Sequence, residues 1–270
     1  MSNLLSVFSY SFMVNAFIAG SLISLCSALI GVIVVLKRYS MIGDGLSHVG
    51  FGALALAAVL GLTPLSVALP VVVVCALILM RASNLTKIKG DAAIGLISTG
   101  ALAFGTIIVS VSGVNTDLNS YLFGSILSLT KTDMILCVIL CVSVLLVFLI
   151  LYNKIFAVTF DESFAKSVGI KTDLYNSLVA ILCALTIVLG MRMMGSLLIS
   201  ALIIFPSLTA MRIFKSFKAV TISSAIIAVF SFFCGMLLSF WFSTPAGATV
   251  VAVNIAMFAV FSLIATVKNH

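Results

Sequence analysis

Charged side chains are scarce in this chain, whose 270 residues include only 14 Lys and Arg and 7 Asp and Glu. They make up 8% of the residues, whereas soluble domains usually contain roughly a quarter. This scarcity excludes an ordinary soluble protein. No stretch is long or polar enough to form a separate soluble domain, so we expect a single domain over residues 1–270.

Sequence motifs of the common enzyme classes are also missing. The chain contains no P-loop, no GxSxG and no HExxH. Its six cysteines form no CxxC pair and lie within or beside apolar runs, where a thiol behaves as a small hydrophobe. The sequence therefore predicts no enzymatic activity and no permanently bound cofactor. If ATP drives this protein, the ATPase is a separate chain.

What the chain has in abundance is apolar sequence, with a mean hydropathy of +1.38. The apolar runs are about 20 residues long, which is the length that crosses the hydrocarbon core of a bilayer as a helix. We predict an all-α polytopic membrane protein with about nine transmembrane helices. The predicted spans are 12–36, 42–61, 65–80, 91–112, 134–152, 175–191, 195–211, 219–241 and 248–267.

The Lys and Arg residues predict the orientation of these spans. If the N-terminus is outside and nine spans alternate, only Lys131 and Arg192 of the 14 basic residues fall at the outer side. Cytoplasmic loops are enriched in Lys and Arg, so we expect the N-terminus outside and the C-terminus inside. The net charge of +7 then indicates loops beside anionic lipid, and it does not indicate nucleic-acid binding.

Asp44 and His48 are the main candidates for a functional site within the membrane. Residues four apart lie on one face of a helix, and ionisable groups inside a membrane are costly unless they meet a cavity, a partner or an ion. Carboxylate and imidazole suit zinc, manganese and iron. Two ligands are too few for a tight site, but a symmetric dimer could supply four. The alternative is an Asp–His hydrogen bond that only holds helices together.

The segment 113–132 does not form a simple span. It leaves the fourth span on the expected outer side and contains a short apolar helix near 120–129. Irregular backbone at membrane depth occurs only against protein or a water-filled cavity. We predict a re-entrant helix that acts as an outer gate, with Asn115, Asp117, Tyr121 and Phe123 as its candidate residues. A static helix lying at the interface is the alternative.

The longest polar stretch of the chain, 153–172, is predicted to contain a short amphipathic helix from Asp161 to Gly169. Asp161 and Glu162 lie near its N-terminus, where carboxylates are favoured, and Gly169 can end it. Phe164 and Val168 are four apart and form its apolar face. We expect this face to dock on a cytoplasmic partner, although a solvated loop helix would show the same pattern.

Five blocks of this sequence resemble one family. LKRYSMIGDGLSHVGFGALALA (36–57) is similar to the signature of the membrane subunits of zinc/manganese ATP-binding-cassette importers. DAAIGLISTGALAFG (91–105), NSYLFGSILSLTKTD (119–133), DESFAKSVGI (161–170) and GSLLISALIIFPSLTA (195–210) follow in the same order. The resemblance covers nearly the whole chain, and the string Gly-Asp-x-Leu-Ser-His is the most specific part of it.

The resemblance implies a permease subunit in the plasma membrane of a prokaryote, with a fold similar to that of the cobalamin and siderophore importers. It implies a second permease copy, two cytoplasmic ABC ATPases and an extracellular or periplasmic metal-binding protein. It also implies metal contact at Asp44 and His48 and ATPase coupling through residues 161–170. Zinc is the favoured cargo, with manganese or iron as alternatives.

A self-contained secondary carrier for divalent cations is the alternative function. Such carriers often show internal repeats and several intramembrane acids. No repeat is visible here, and Asp44 is the only acid clearly inside a predicted span.

Overall fold

The computed structural model describes residues 11–85, 90–113, 124 and 131–268. Every regular element in these ranges is an α-helix. The helices are α1 (Ser11–Leu36), α2 (Ile42–Leu60), α3 (Pro64–Leu85), α4 (Gly90–Ser112), α5 (Lys131–Phe160), α6 (Glu162–Ser167), α7 (Thr172–Met194), α8 (Ser196–Ile213), α9 (Phe217–Phe242) and α10 (Ala246–Lys268).

All of these helices except α6 are long and apolar enough to cross a membrane, which makes nine candidate spans within the described ranges. The prediction of an all-α protein with about nine transmembrane helices is confirmed. The Gly-rich second span is helical, and a break at Gly195 separates α7 from α8.

Helices α1 and α7 form the centre of the bundle. They are the most buried spans, whereas α4, α5 and α10 expose most of their surface. Helix α1 packs against α5, α7, α8 and α9, and Ile23, Ile30 and Ile187 are fully buried there. The exposed outer helices carry large apolar side chains, as a lipid-facing surface requires.

Helices α2 and α4 run parallel and pack very closely. A Cβ on Gly45 would lie 2.4 Å from Ile94 Cγ2, and a Cβ on Gly52 would lie 2.9 Å from the Ala101 carbonyl oxygen. Small residues allow membrane helices to approach in this way. A Cβ on Gly105 would likewise meet the Gly52 Cα at 2.9 Å.

Helix α5 is longer than predicted, because it continues to Phe160 where the sequence indicated an end near residue 152. The polar pair Asn153–Lys154 suggested a loop. Beyond this pair, however, Phe156 and Phe160 pack on Phe217 at the start of α9, with ring centroids 5.1 and 5.9 Å apart. This aromatic packing stabilises two further helical turns.

One end of the bundle carries most of the basic residues in the described part of the chain. We call it the basic end, and it contains the C-termini of α1, α3, α5, α8 and α10 and the N-termini of α2, α4, α7 and α9. Its Lys and Arg residues are Lys37, Arg38, Arg81, Lys154, Lys166, Lys171, Arg212, Lys215, Lys218 and Lys268.

Candidate metal site and docking helix

Asp44 and His48 lie together in the first two turns of α2. Their closest atoms, Asp44 Oδ2 and His48 Nε2, are 3.5 Å apart, and 46% of the Asp44 side chain and 21% of the His48 side chain are exposed. The Ser47 hydroxyl donates a 2.7 Å hydrogen bond to the Asp44 carbonyl oxygen. The carboxylate and the imidazole therefore face the same surface, and both have atoms accessible to an ion.

This surface continues along α2 as a stripe with a spacing of four residues. Gly52 is partly exposed beside Ala101 of α4, and Leu56 and Leu60 are exposed, while most of the rest of the helix is buried against α4, α3, α7 and α8. Exposed apolar side chains alone would suit lipid, but an ionisable pair on the same surface needs a partner, a cavity or an ion.

The pair is recessed, because α2 begins deeper in the bundle than the ends of α1 and α8. Gly43 and Gly31 are level with each other, because a Cβ on either one would contact Ile203 of α8. Gly31 precedes the end of α1 by about 8 Å of helix, and Ile203 precedes the end of α8 by about 15 Å. Asp44 is therefore recessed by about 8–15 Å from the basic end, and His48 lies about one turn deeper.

One chain offers too few ligands to enclose a metal ion. Within the described ranges, no three side chains of His, Cys, Asp or Glu are grouped so that they could hold one. Zinc sites usually have four ligands, or three with an open position. Two further ligands would have to come from outside this part of the chain, from solvent or from a second copy.

Helix α6 has the capping and pairing that its sequence predicts. Asp161 is the N-cap and accepts a 2.8 Å hydrogen bond from the Phe164 backbone N–H. Glu162 pairs with Lys166 at 3.0 Å. Gly169 follows the helix with φ of +83°, the left-handed conformation that glycine adopts without steric cost.

Phe164 and Val168 point away from the bundle at the basic end. Each is 62% exposed, while Ala165 on the opposite side is fully buried and holds α6 against α5 and α7. A phenylalanine and a valine on one exposed face of a two-turn segment are costly in water. They form a small apolar knob at the surface, which we call the α6 knob.

A polar network connects α6 to the neighbouring helices. The Lys37 ammonium donates to Asn176 Oδ1, and Asn176 Nδ2 donates to Glu162 Oε2 at 3.3 Å. Burial lowers the pKa of Lys37, with the Glu162 charge opposing this. Burial alone would raise the pKa of Glu162, but the hydrogen bonds from Lys166 and Asn176, together with the Lys166 and Lys37 charges, lower it overall.

The sequence did not reveal this network. Its members are 139 and 14 residues apart along the chain, so no local spacing could connect them. The only available signal was Asn176, an amide near the start of an apolar span. Inside a membrane protein such a group needs a hydrogen-bond partner.

The candidate gate residues Asn115, Asp117, Tyr121 and Phe123 lie outside the described residues. Their neighbour Gly124 is described, with φ of +73°, and a Cβ there would lie 2.3–2.7 Å from backbone atoms of Met194 and Gly195. Gly190 lies level with Ile23 of α1, so the break at Gly195 is recessed by roughly 10 Å from the start of α1. Gly124 therefore reaches into the bundle at the end opposite the basic end.

Comparison with known proteins gives one consistent result. The profile of the ABC 3 transport family matches residues 9–265. A Thermotoga maritima membrane protein whose name places it in a metal transport system is 35% identical over 92% of this chain and 88% of its own length. The manganese import system permease ScaB of Streptococcus gordonii is 30% identical, covering 97% and 94%. The zinc uptake membrane protein ZnuB of Haemophilus influenzae is 29% identical, covering 90% and 94%.

Solved structures agree with these relatives. A chain of PsaBC from Streptococcus pneumoniae, solved in complex with Fab, aligns with a TM-score of 0.84 at 29% identity and covers 95% of this chain and 92% of its own. A second structure, described as a metal-chelate type ABC transporter in an inward-facing conformation, aligns with a TM-score of 0.69 at 17% identity and covers 92% and 85%. The second likeness concerns the fold alone, and it confirms the predicted type of permease fold.

Proposed function

The chain belongs to the ABC 3 transport family, and on that premise we propose that it is the permease subunit of an importer for a divalent transition-metal ion, driven by ATP hydrolysis on a separate subunit. Relatives named as manganese and zinc permeases support the cargo class. Membership in an ABC family also favours this function over a self-contained secondary carrier.

The observation that carries the proposal is the Asp44–His48 pair. An ion-accessible carboxylate and imidazole, recessed in the bundle and 3.5 Å apart, are the donors that zinc, manganese and iron accept. We propose that the cargo ion contacts both side chains during its passage. A second copy that apposes the exposed stripe of α2 would complete four ligands. The affinity of this site for the ion should be moderate, because an ion that passes through a conduit must also leave it.

The partners follow from the two ends of the bundle. We propose that the basic end is cytoplasmic in the plasma membrane of a prokaryote, with the N-terminus outside. The α6 knob would then meet an ABC ATPase, with Asp161 and Glu162 beside it, and a dimer would bind two ATPase copies. A metal-binding protein would dock at the opposite end, where Gly124 enters the bundle near the candidate gate residues.

The choice among metals stays a prediction. The sequence favoured zinc, but the manganese permease and the zinc permease are similar to this chain to almost the same extent. Asp and His serve both ions. Selection could therefore reside in the extracellular binding protein, so the test must compare the ions directly.

The test is metal uptake by the reconstituted complex in proteoliposomes, measured for zinc, manganese and iron with ATP inside the vesicles. We expect His48→Ala and Asp44→Asn to reduce uptake at least tenfold, because each removes a ligand of the cargo ion. Ser143→Ala, which removes an exposed hydroxyl from α5, is the matched control and should transport normally. Wild-type uptake by His48→Ala at equal protein levels would disprove the assigned metal contact.

A further inference from the structure

Three side chains at the basic end connect α6 with α1 and α7. Asn176, which is nearly fully buried near the start of α7, accepts a hydrogen bond from Lys37 and donates one to Glu162. Lys37 is the first residue after α1, and Glu162 is the first residue of α6. One amide therefore joins the end of α1 to the helix that carries the α6 knob.

Lys37 also begins the short turn that leads into α2. The Tyr39 N–H donates to the Val34 carbonyl and the Ile42 N–H donates to the Tyr39 carbonyl, at 2.9 and 3.0 Å. Arg38 between them has φ of +61°, a conformation that non-glycine residues adopt at a cost of about 1 kcal/mol. Hydrogen bonds thus hold the turn at both ends, and the turn connects Lys37 to the first turn of α2.

A cavity lies between the turn and α6, and the hydrogen bonds through Asn176 connect the two beside it. The cavity has a volume of about 280 Å³, and Lys37, Tyr39 and Met80 line it opposite Phe160 and Glu162. A smaller cavity lined by Arg81, Asp173 and Asn176 lies alongside.

The path continues directly to the metal pair. Ile42 begins α2, and the Gly45 N–H donates to the Met41 carbonyl at 2.9 Å, so Asp44 belongs to the first turn of the helix that the turn holds. Helix α2 is in turn fixed to α4 by the close glycine contacts. The turn, the start of α2 and α4 are therefore connected by a continuous series of contacts from Lys37 to Asp44.

We propose that Lys37 and Asn176 are positioning residues that transmit the movement of α6 to α2, and hence link ATPase action to the orientation of Asp44 and His48. This inference rests on the proposed function, because it assumes that α6 meets the ATPase. It assigns no contact between Lys37 or Asn176 and the cargo ion. Neither residue belongs to the α6 knob, so their removal should leave ATPase docking intact.

The experiment follows the position of α2 and the transport stoichiometry in the same complex. A reporter cysteine replaces Leu56, on the exposed stripe of α2, after the six native cysteines are removed. The reconstituted complex of permease and ATPase is labelled with a maleimide, with and without a nonhydrolysable ATP analogue. ATP hydrolysis and metal uptake are measured on the same variants without the reporter.

We expect the analogue to change the labelling rate about threefold or more in the otherwise native complex, since a nucleotide-bound ATPase selects one conformation of the permease. Lys37→Met and Asn176→Leu should abolish this dependence. They should also lower the number of ions moved per ATP by about tenfold, the effect of losing a hydrogen bond to a charged group. ATP hydrolysis and co-purification should stay within about twofold of the native values.

Two further variants separate coupling from simple loss of structure. Lys37→Arg keeps the cation and its donors and should retain both nucleotide dependence and stoichiometry. Lys171→Met removes an exposed lysine at the same end and should have no effect. If Lys37→Met does not fold, the comparison of Asn176→Leu with Lys37→Arg still tests the inference.

Unchanged nucleotide dependence in Lys37→Met and Asn176→Leu would overturn the inference, and so would a native complex whose Leu56 position does not respond to the analogue. The labelling needs no metal transport. A native complex that responds to nucleotide but moves no metal would therefore contradict the proposed function while still testing the link from α6 to α2.

Discussion

At the scale of single residues, two groups of polar side chains carry the proposed function. Asp44 and His48 face an accessible surface inside the bundle, and the network of Lys37, Asn176 and Glu162 lies at the basic end. The first group was predictable from sequence, because a spacing of four residues puts two side chains on one helix face. The second was not, because the folding of three distant segments creates it.

Glu162 gives a prediction that depends on pH. Its pKa is lowered in the folded protein, so its stabilising contribution is present above the ordinary value of about 4.3 and is lost as the pH falls through the folded value. We expect Glu162→Gln to reduce the free energy of unfolding by about 0.5–1 kcal/mol at pH 7, because the side chain is partly exposed. Thermal unfolding in detergent measures the difference, which should disappear as the pH falls below the lowered pKa of Glu162. A difference that stays constant across this range would contradict the prediction.

Gly124 provides a second residue-scale prediction. Its positive φ and the short distance to Met194 and Gly195 leave no room for a side chain, so Gly124→Ala forces backbone atoms apart. We expect a loss of at least 2 kcal/mol of stability or a displaced outer segment. Gly113→Ala is the matched control, because Gly113 also has a positive φ, of +66°, but open space around it. Gly113→Ala therefore measures the cost of the backbone conformation without a steric clash. Equal losses of stability in the two variants would exclude a close contact at Gly124.

At the scale of elements, the short helix α6 and its C-cap residue present Phe164 and Val168 to solvent, while Ala165 is buried. We predict that Phe164→Asp prevents co-purification with the ATPase or uncouples hydrolysis from transport, because a carboxylate replaces the larger part of the α6 knob. Pull-down of the ATPase and uptake assays measure the two outcomes.

The matched control for this change is Phe214→Asp, at another exposed phenylalanine of the basic end. It should leave both the pull-down and the uptake near native values. If Phe164→Asp also behaves as native, α6 is a solvated helix without a docking role.

The elements themselves were largely predictable, and the reasons differ between them. Apolar runs predicted all nine long helices, and capping residues predicted α6, because both signals are local. The predicted end of α5 was wrong, because the last two turns of this helix depend on contacts with Phe217, far along the chain. The close packing of α2 on α4 also depends on residues far apart in the chain, because Ala101 and Gly105 of α4 meet Gly52 of α2.

At the scale of the whole molecule, the exposed stripe of α2 gives the chain a surface that favours a second copy. We predict that a cysteine at Leu56 forms crosslinks between two copies in the membrane, in a background without native cysteines. Two-fold symmetry would bring each stripe against its equivalent.

A cysteine at Ile226 on α9 is the control, since this position is even more exposed than Leu56 but lies away from α2. Gel electrophoresis after addition of a bifunctional thiol reagent distinguishes the two. Crosslinks at Ile226 and none at Leu56 would place the contact between copies on another face, and the four-ligand arrangement would then fail.

The length of α5 has a consequence for the lipid around this protein. Its apolar stretch, Met134–Phe160, contains 27 residues and measures about 40 Å, whereas the hydrocarbon core is about 30 Å thick. The helix must tilt or project at an end where Lys154 lies over the Tyr175 ring, a pair suited to the headgroup region. Because α6 begins directly after α5, the acyl-chain length of the surrounding lipids sets how far the α6 knob stands above the headgroups.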